Sequence, residues 1–222
     1  MSPVDLTVLN LRVPVVDAVC ATACGDWLSA ADLWFETFRD SSFRGLAARC
    51  GAEAALQAGL LDLAEYFYVG LRELPDIPED LGMLRRENEP VRRARLDYFQ
   101  RRLEGWRDEG GLEGASELMS LRFYREVIRR LLVMPSGGRD LAAVAPLLAR
   151  AYARLGAHAS LLALWRTNRE GLAGTDVAPM VSRAERLFRW QSDPPLENVR
   201  RFERAHPAGP ALGIALGQAE GL

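Results

Sequence analysis

The sequence predicts an all-α protein built from antiparallel helix pairs, and three observations carry that expectation. Apolar residues recur three and four apart through long stretches, as in Leu60, Leu61, Leu63, Ala64, Phe67, Tyr68 and Leu71, which marks one face of a helix. A pattern of small residues, glycine and an aromatic ring returns after 34 residues. Strand-like alternation is confined to Asp5–Val13, where Leu6 and Val8 alternate with polar neighbours before Pro14, as a lead-in or a short strand.

The repeat is clearest between Ala18–Trp34 and Ala52–Tyr68. Ala18, Ala21, Gly25, Ala30 and Trp34 hold the positions taken 34 residues later by Ala52, Ala55, Gly59, Ala64 and Tyr68. Small residues let two helices approach, the glycine supplies the turn between them, and the ring fills the seam with the next pair. The pattern returns more loosely around Gly110, with Phe99, Leu103, Trp106, Ala115 and Met119, and around Gly156, with Leu148, Ala149, Tyr152, Leu161 and Trp165. Successive glycines then stand 34, 51 and 46 residues apart, the excess falling in Asp76–Arg92 and Met134–Asp140, which read as insertions rich in turn residues or charge. One domain over residues 1–206 follows, with units near 11–42, 45–75, 96–133 and 142–172, further helices over 176–205, and a flexible Gly/Ala tail over 207–222.

These units resemble the tetratricopeptide repeat, a 34-residue helix–turn–helix. The likeness rests on LLARAYARLGAHASLLALW at Leu147–Trp165 and on GAEAALQAGLLDLAEYFY at Gly51–Tyr68. It departs from the family at Leu161, where a small residue is usual, and at Pro14, near the start of the first unit. From Arg92 onward the chain is also similar to the helical domain that follows the winged helix in bacterial SARP-type transcriptional activators. The resemblance implies a degenerate tetratricopeptide-like right-handed array whose first helices line a concave groove. The matching groove positions are Arg49, Glu53 and Gln57 in the second unit and Arg150 and Arg154 in the fourth. The Lys/Asn set with which some relatives clamp a terminal carboxylate is not reproduced.

Composition bounds the function. All 28 basic residues are arginine, which fits a GC-rich bacterial source and leaves no Schiff-base, Walker A or kinase-type lysine. With a formal charge of −2, the chain has no general attraction to phosphate backbones, so nucleic-acid binding is not expected. Cys20, Cys24 and Cys50, in a chain with no visible leader, imply a reducing cytoplasm. Charged residues break every apolar run well before the ~20 residues a membrane helix needs. The three thiols lack a fourth ligand for structural zinc and are expected in the core; neither metal nor cofactor is implied.

No nucleophile elbow, Gly-x-Gly-x-x-Gly or His-Glu-x-x-His occurs, and an enzyme is not expected. Asp76, Glu79 and Asp80 read as solvated loop charge, and His158, two residues after a turn glycine, as an ordinary turn residue. Arginine pairs alternate with acids along most of the chain, as a solvent face does. The segment RRENEPVRRAR, with Arg85, Arg86, Arg92 and Arg93, concentrates positive charge and is the second candidate surface, suited to an acidic partner because guanidinium pairs well with carboxylate. The functional expectation is a scaffold or adaptor that holds a protein or peptide in its groove. The alternative is a regulatory module of transcription control without its own DNA reader.

Overall fold

The computed structural model describes residues 6–40, 43–71, 79–105, 111–134 and 141–206. Every regular element among them is helical. α1 (Leu6–Ala23) and α2 (Trp27–Asp40) form the first pair, and α3 (Arg44–Gln57) and α4 (Leu61–Leu71) the second. The long α5 (Glu79–Leu103) precedes a third pair, α6 (Gly111–Ser120) and α7 (Tyr124–Val133), and a fourth, α8 (Leu141–Leu155) and α9 (His158–Thr167). The single turn α10 (Arg169–Leu172) leads to α11 (Val177–Trp190) and α12 (Pro195–Ala205). The proposed tail lies outside the described residues, as do Asp76, Trp106 and Gly110. No helix of the described residues is long and apolar enough to cross a membrane.

All four pairs turn in the same way. The residue at the turn is left-handed: Gly25 at φ +63°, Gly59 at +73°, Arg122 at +59° and Gly156 at +75°. The N–H one residue later reaches five residues back, from Asp26 to Ala21, Leu60 to Ala55, Phe123 to Leu118 and Ala157 to Tyr152, at 2.7–3.0 Å. This 6→1 bond is the Schellman helix end, which satisfies carbonyls that a helix terminus would otherwise orphan. The 34-residue offset between Gly25 and Gly59 recurs between Arg122 and Gly156.

Sequence reasoning therefore misplaced the third pair. Its turn is Arg122 rather than Gly110, and a non-glycine residue hid it, because a left-handed conformation is uncommon without glycine. Two further expectations are corrected. Within the lead-in or short strand expected over Asp5–Val13, the described residues from Leu6 on are helical, since α1 starts there and runs through Pro14; a short alternating run cannot be told from helix by period alone. Residues 79–92 are not a loop but the first half of α5, and Glu79 and Asp80 open that helix. Along α5, Leu81, Leu84, Asn88, Val91, Arg95 and Tyr98 are buried or half-buried, spaced alternately three and four apart as one helix face requires.

The repeat positions do the packing expected of them. Ala18, Ala30, Trp34, Ala52, Ala55, Ala64 and Tyr68 are all buried in one core formed by α1–α4. Trp34 donates its indole N–H to the Thr22 hydroxyl at 2.8 Å, and that hydroxyl donates to the Ala18 carbonyl at 2.8 Å, so the buried ring leaves no polar atom orphaned. A second core joins α6–α8 with Tyr98 of α5, and a third joins α8 and α9 with Leu172 and α11.

The pairs do not pack only on their sequence neighbours, as members of a simple linear array would. α12 returns to α1, and its Val199 and Phe202 enter the first core. Turns also meet turns. A Cβ on Gly156 would stand 2.6 Å from the Asp26 Cα and overlap the Gly25 carbonyl oxygen; one on Gly59 would overlap the Arg122 carbonyl oxygen. Only glycine permits both the left-handed turn and this approach at those two sites.

Arg95 locks the second of these contacts. Buried to 8% exposure, its guanidinium donates to the carbonyls of Leu121 (2.7 Å), Gly59 (2.7 Å) and Arg122 (3.0 Å) and lies 4.1 Å from the Phe123 ring centre. Replacing Arg95 with Met keeps the length and removes the donors, leaving three acceptors without partners. The expected loss is about 3 kcal/mol or more in chemical denaturation, given roughly 1.5–3 kcal/mol for a hydrogen bond to a charged group. A change below about 1 kcal/mol would show that the turns dock without it.

Candidate functional site

The return of the chain encloses a concavity between α3 on one side and α8, α9 and α11 on the other. Its volume is about 460 Å³, within the usual range for ligand sites. Glu53 and Gln57 face it from α3, Arg154 from the end of α8, His158 from the start of α9, and Met180, Arg183 and Leu187 from α11. Trp27, at the first residue of α2, lines this space and two adjoining recesses that carry Arg186, Trp190 and Arg204.

The candidate residues separate into two sets. Glu53, Gln57 and Arg154 come together in the groove although Arg154 lies 101 and 97 positions after Glu53 and Gln57 in the chain. Arg49 lies near His206 on α3 but is not among the groove-lining residues. Arg150 does not join Arg154: its guanidinium makes a two-pronged ion pair with Asp176, at 2.9 and 2.7 Å. The second surface is similarly engaged. Arg85 binds Glu65 through two bonds at 3.0 and 2.7 Å and lies over the Tyr68 ring; Arg92 reaches Glu65 and Glu89, and Arg93 reaches Glu89. Arg86 stands exposed on the same helix.

The groove is electrostatically lopsided. Arg154, Arg183, Arg186 and Arg204 have no carboxylate partner among the described residues, and they oppose Glu53. Arg201, which also borders a recess, is neutralised by Asp193 at 2.5 Å and stacks over Trp190 at 4.6 Å. A chain of net charge −2 thus presents a locally positive, aromatic-floored concavity. Low-dielectric walls on two sides strengthen such a field relative to the open surface.

Two histidines border it and its adjoining recess, with pKa values shifted in opposite directions. His158 is a buried group rather than an ordinary polar turn residue: its Nε2–H donates to the Cys24 carbonyl at 2.8 Å, while Nδ1 is buried without a hydrogen-bond partner among the described residues. Burial pushes its pKa below the ordinary 6.5, and the neutral ring is the form that fits. His206, stacked on Phe202 with ring centres 4.3 Å apart, meets acceptors at both nitrogens, the Phe202 carbonyl at 3.0 Å and the Glu53 carboxylate at 3.3 Å. The carboxylate raises its pKa above 6.5. Cys24 and Cys50 are buried as expected, whereas Cys20 is only half-buried; burial pushes Cys24 up to about 11 and also raises Cys20 and Cys50.

Sequence reasoning missed Trp27, Arg183, His158 and His206 as groove residues. The buried stripe of Val177, Val181, Ala184 and Leu187 on α11 was legible, and Arg183 lies directly beside Ala184. No local signal shows that α11 faces α3, because that depends on the chain's return. With fold and groove described, comparisons with protein-family models, curated proteins and solved structures find no match to this chain.

The two histidines oppose each other in the pH dependence of stability. For His158, whose folded pKa lies below 6.5, the unfolded chain takes up the proton first, so stability is full above pH 6.5 and declines as pH falls below it. For His206, whose folded pKa lies above 6.5, stabilisation is full below pH 6.5 and is lost as pH rises through the folded value. His158→Gln should flatten the acid-side decline between pH 6.5 and 5 in urea titrations. An unchanged slope would show that His158 binds its proton equally well in the folded and unfolded chain.

Proposed function

We propose that the chain is a binding protein that holds an acidic segment of a protein or peptide partner in the groove between α3 and α11. The observation that carries this reading is the convergence of Gln57, Arg154 and Arg183 around Trp27, with both guanidiniums unpaired among the described residues. Positive potential supplies attraction, and the exposed edges of Trp27 and Met180 supply apolar area. Nothing in this reading calls for catalysis by the chain.

The four Schellman-closed pairs, two of them at a 34-residue offset from the other two, support a tetratricopeptide-like origin for the helices. On that reading the array has folded back on itself, and the groove is its enclosed concave face. Three unbridged thiols fit a reducing, cytoplasmic setting, and the all-arginine composition fits a GC-rich bacterial one. Should the captured partner prove to be a transcription factor, the same groove would serve the regulatory role.

A fluorescein-labelled hexaglutamate peptide at low ionic strength tests the charge requirement. Replacing Arg154 and Arg183 together with Glu should weaken binding about tenfold or more while circular dichroism and melting stay near wild type. Arg86→Glu, on the opposite candidate surface, should leave binding unchanged. The converse result would move the site to α5. Because the chain offers no lysine to amine-reactive crosslinkers, a photo-crosslinking side chain at position 57 is the direct way to trap the native partner.

A further inference from the structure

The contact between His206 and Glu53 adds a control to the groove. Glu53 is the one carboxylate facing the groove among its described lining residues, and it also borders the recess in which His206 sits. A carboxylate there opposes an acidic ligand, so its effective charge sets how strongly the groove attracts one. His206 is placed to set that charge. Its two ring nitrogens face two oxygens that can only accept: the Phe202 carbonyl, one helical turn back, and the Glu53 carboxylate.

A neutral imidazole has a single N–H and would turn a lone pair toward one of these oxygens. The imidazolium has two donors and satisfies both. The ring cannot readily rotate away, because it stacks on Phe202 at 23° to its plane, and Phe202 is fixed in the core beside Trp34.

We infer that His206 is a proton-operated control on the groove: as imidazolium it neutralises Glu53 and favours an acidic ligand, and on losing its proton it leaves Glu53 as an uncompensated negative charge in the wall. This rests on the acidic-ligand reading of the groove for its consequence, though not for the state of the histidine.

Among the described residues, the charged groups facing His206 are few. From α3 come Glu53, which holds the proton, and Arg49, which works against it; from its own helix, Arg201 and Arg204 border the same recess, Arg201 being tied to Asp193. α1 and α2 contribute only Thr22, Ala23 and Trp27 there. The other histidine does not interfere, since His158 titrates below 6.5. Cys24, pushed up to about 11, is outside the physiological range.

Two measurements on the whole chain decide the matter. The first, without ligand, follows the His206 ring protons by NMR titration. The proposal requires a midpoint above 6.5 that falls in Glu53→Gln; a midpoint at or below 6.5, or one indifferent to Glu53→Gln, overturns it. The second measures hexaglutamate affinity from pH 6.5 to 9 at low ionic strength. One wall charge should weaken binding roughly two- to fivefold across that range in wild type, by the Coulomb interaction of unit charges separated by about 10 Å in a wet groove.

His206→Gln and Glu53→Gln should each flatten that dependence. Binding with the same pH dependence in His206→Gln overturns the control and leaves the groove standing. No binding of the peptide at any pH overturns the acidic-ligand reading, while the NMR titration still decides whether Glu53 holds the His206 proton.

Discussion

The buried guanidinium of Arg95 is the interaction on which the arrangement of the molecule depends. The first two helix pairs share one core and the third and fourth share others, so something must fix the first group against the second. Arg95 does this by binding carbonyl oxygens from two different turns, Gly59 on one side and Leu121 and Arg122 on the other. Those carbonyls are exposed to one another because a Schellman end turns its last peptide groups outward, where they need donors. Burial lowers the Arg95 pKa, yet three acceptors and the face of Phe123 give the cation the hydrogen bonds that a buried charge requires. With this contact set, the fourth turn can reach the first, α11 comes to face α3, and the groove has two walls.

Much of this was legible in the amino-acid sequence, and what was not has a definable cause. Helix dominance, the turns at Gly25, Gly59 and Gly156, and the burial of the alanines around them followed from local spacing, which records local geometry. The turn at Arg122 escaped because its residue type conceals its conformation. The long helix α5 escaped for a related reason: two of the six positions on its inward face are Asn88 and Arg95, so an apolar-periodicity reading breaks where the helix is most tightly held. Asn88 donates to the Leu84 carbonyl and bonds with the Arg122 side chain, and it stands two turns before Arg95 on the same buried stripe. Groove membership was the least legible property, since it joins residues from α2, α3, α8, α9 and α11 through long-range contacts that no sequence window contains.

An all-arginine basic complement has a consequence for packing whatever its origin. Several guanidiniums do what an ammonium cannot: Arg85 forks onto Glu65 while covering Tyr68, Arg201 joins Asp193 and Asn198 while covering Trp190, and Arg95 bridges three carbonyls while covering Phe123. Each uses a planar, multidentate donor with a face that stacks on a ring. Lysine would keep the charge at these sites and lose the geometry.

That internal use of arginine gives meaning to the arginines left over. Where a guanidinium serves the fold, a carboxylate or carbonyl lies within hydrogen-bonding distance, as at Arg85, Arg92, Arg95, Arg150 and Arg201. Around Trp27, Arg154, Arg183, Arg186 and Arg204 gather at one concavity and its recesses without a carboxylate on any of them among the described residues. Like charges brought together disfavour the folded state, and all four of these side chains are exposed rather than part of a core. On the proposed reading, this arrangement is costly as architecture but suits a binding site, because an anionic ligand would turn the mutual repulsion of the guanidiniums into attraction on binding. Glu53, the one acid among the described residues lining that wall, is bonded to His206, so on the proposed reading the protein's own hydrogen bonds, and not composition alone, would set the charge there.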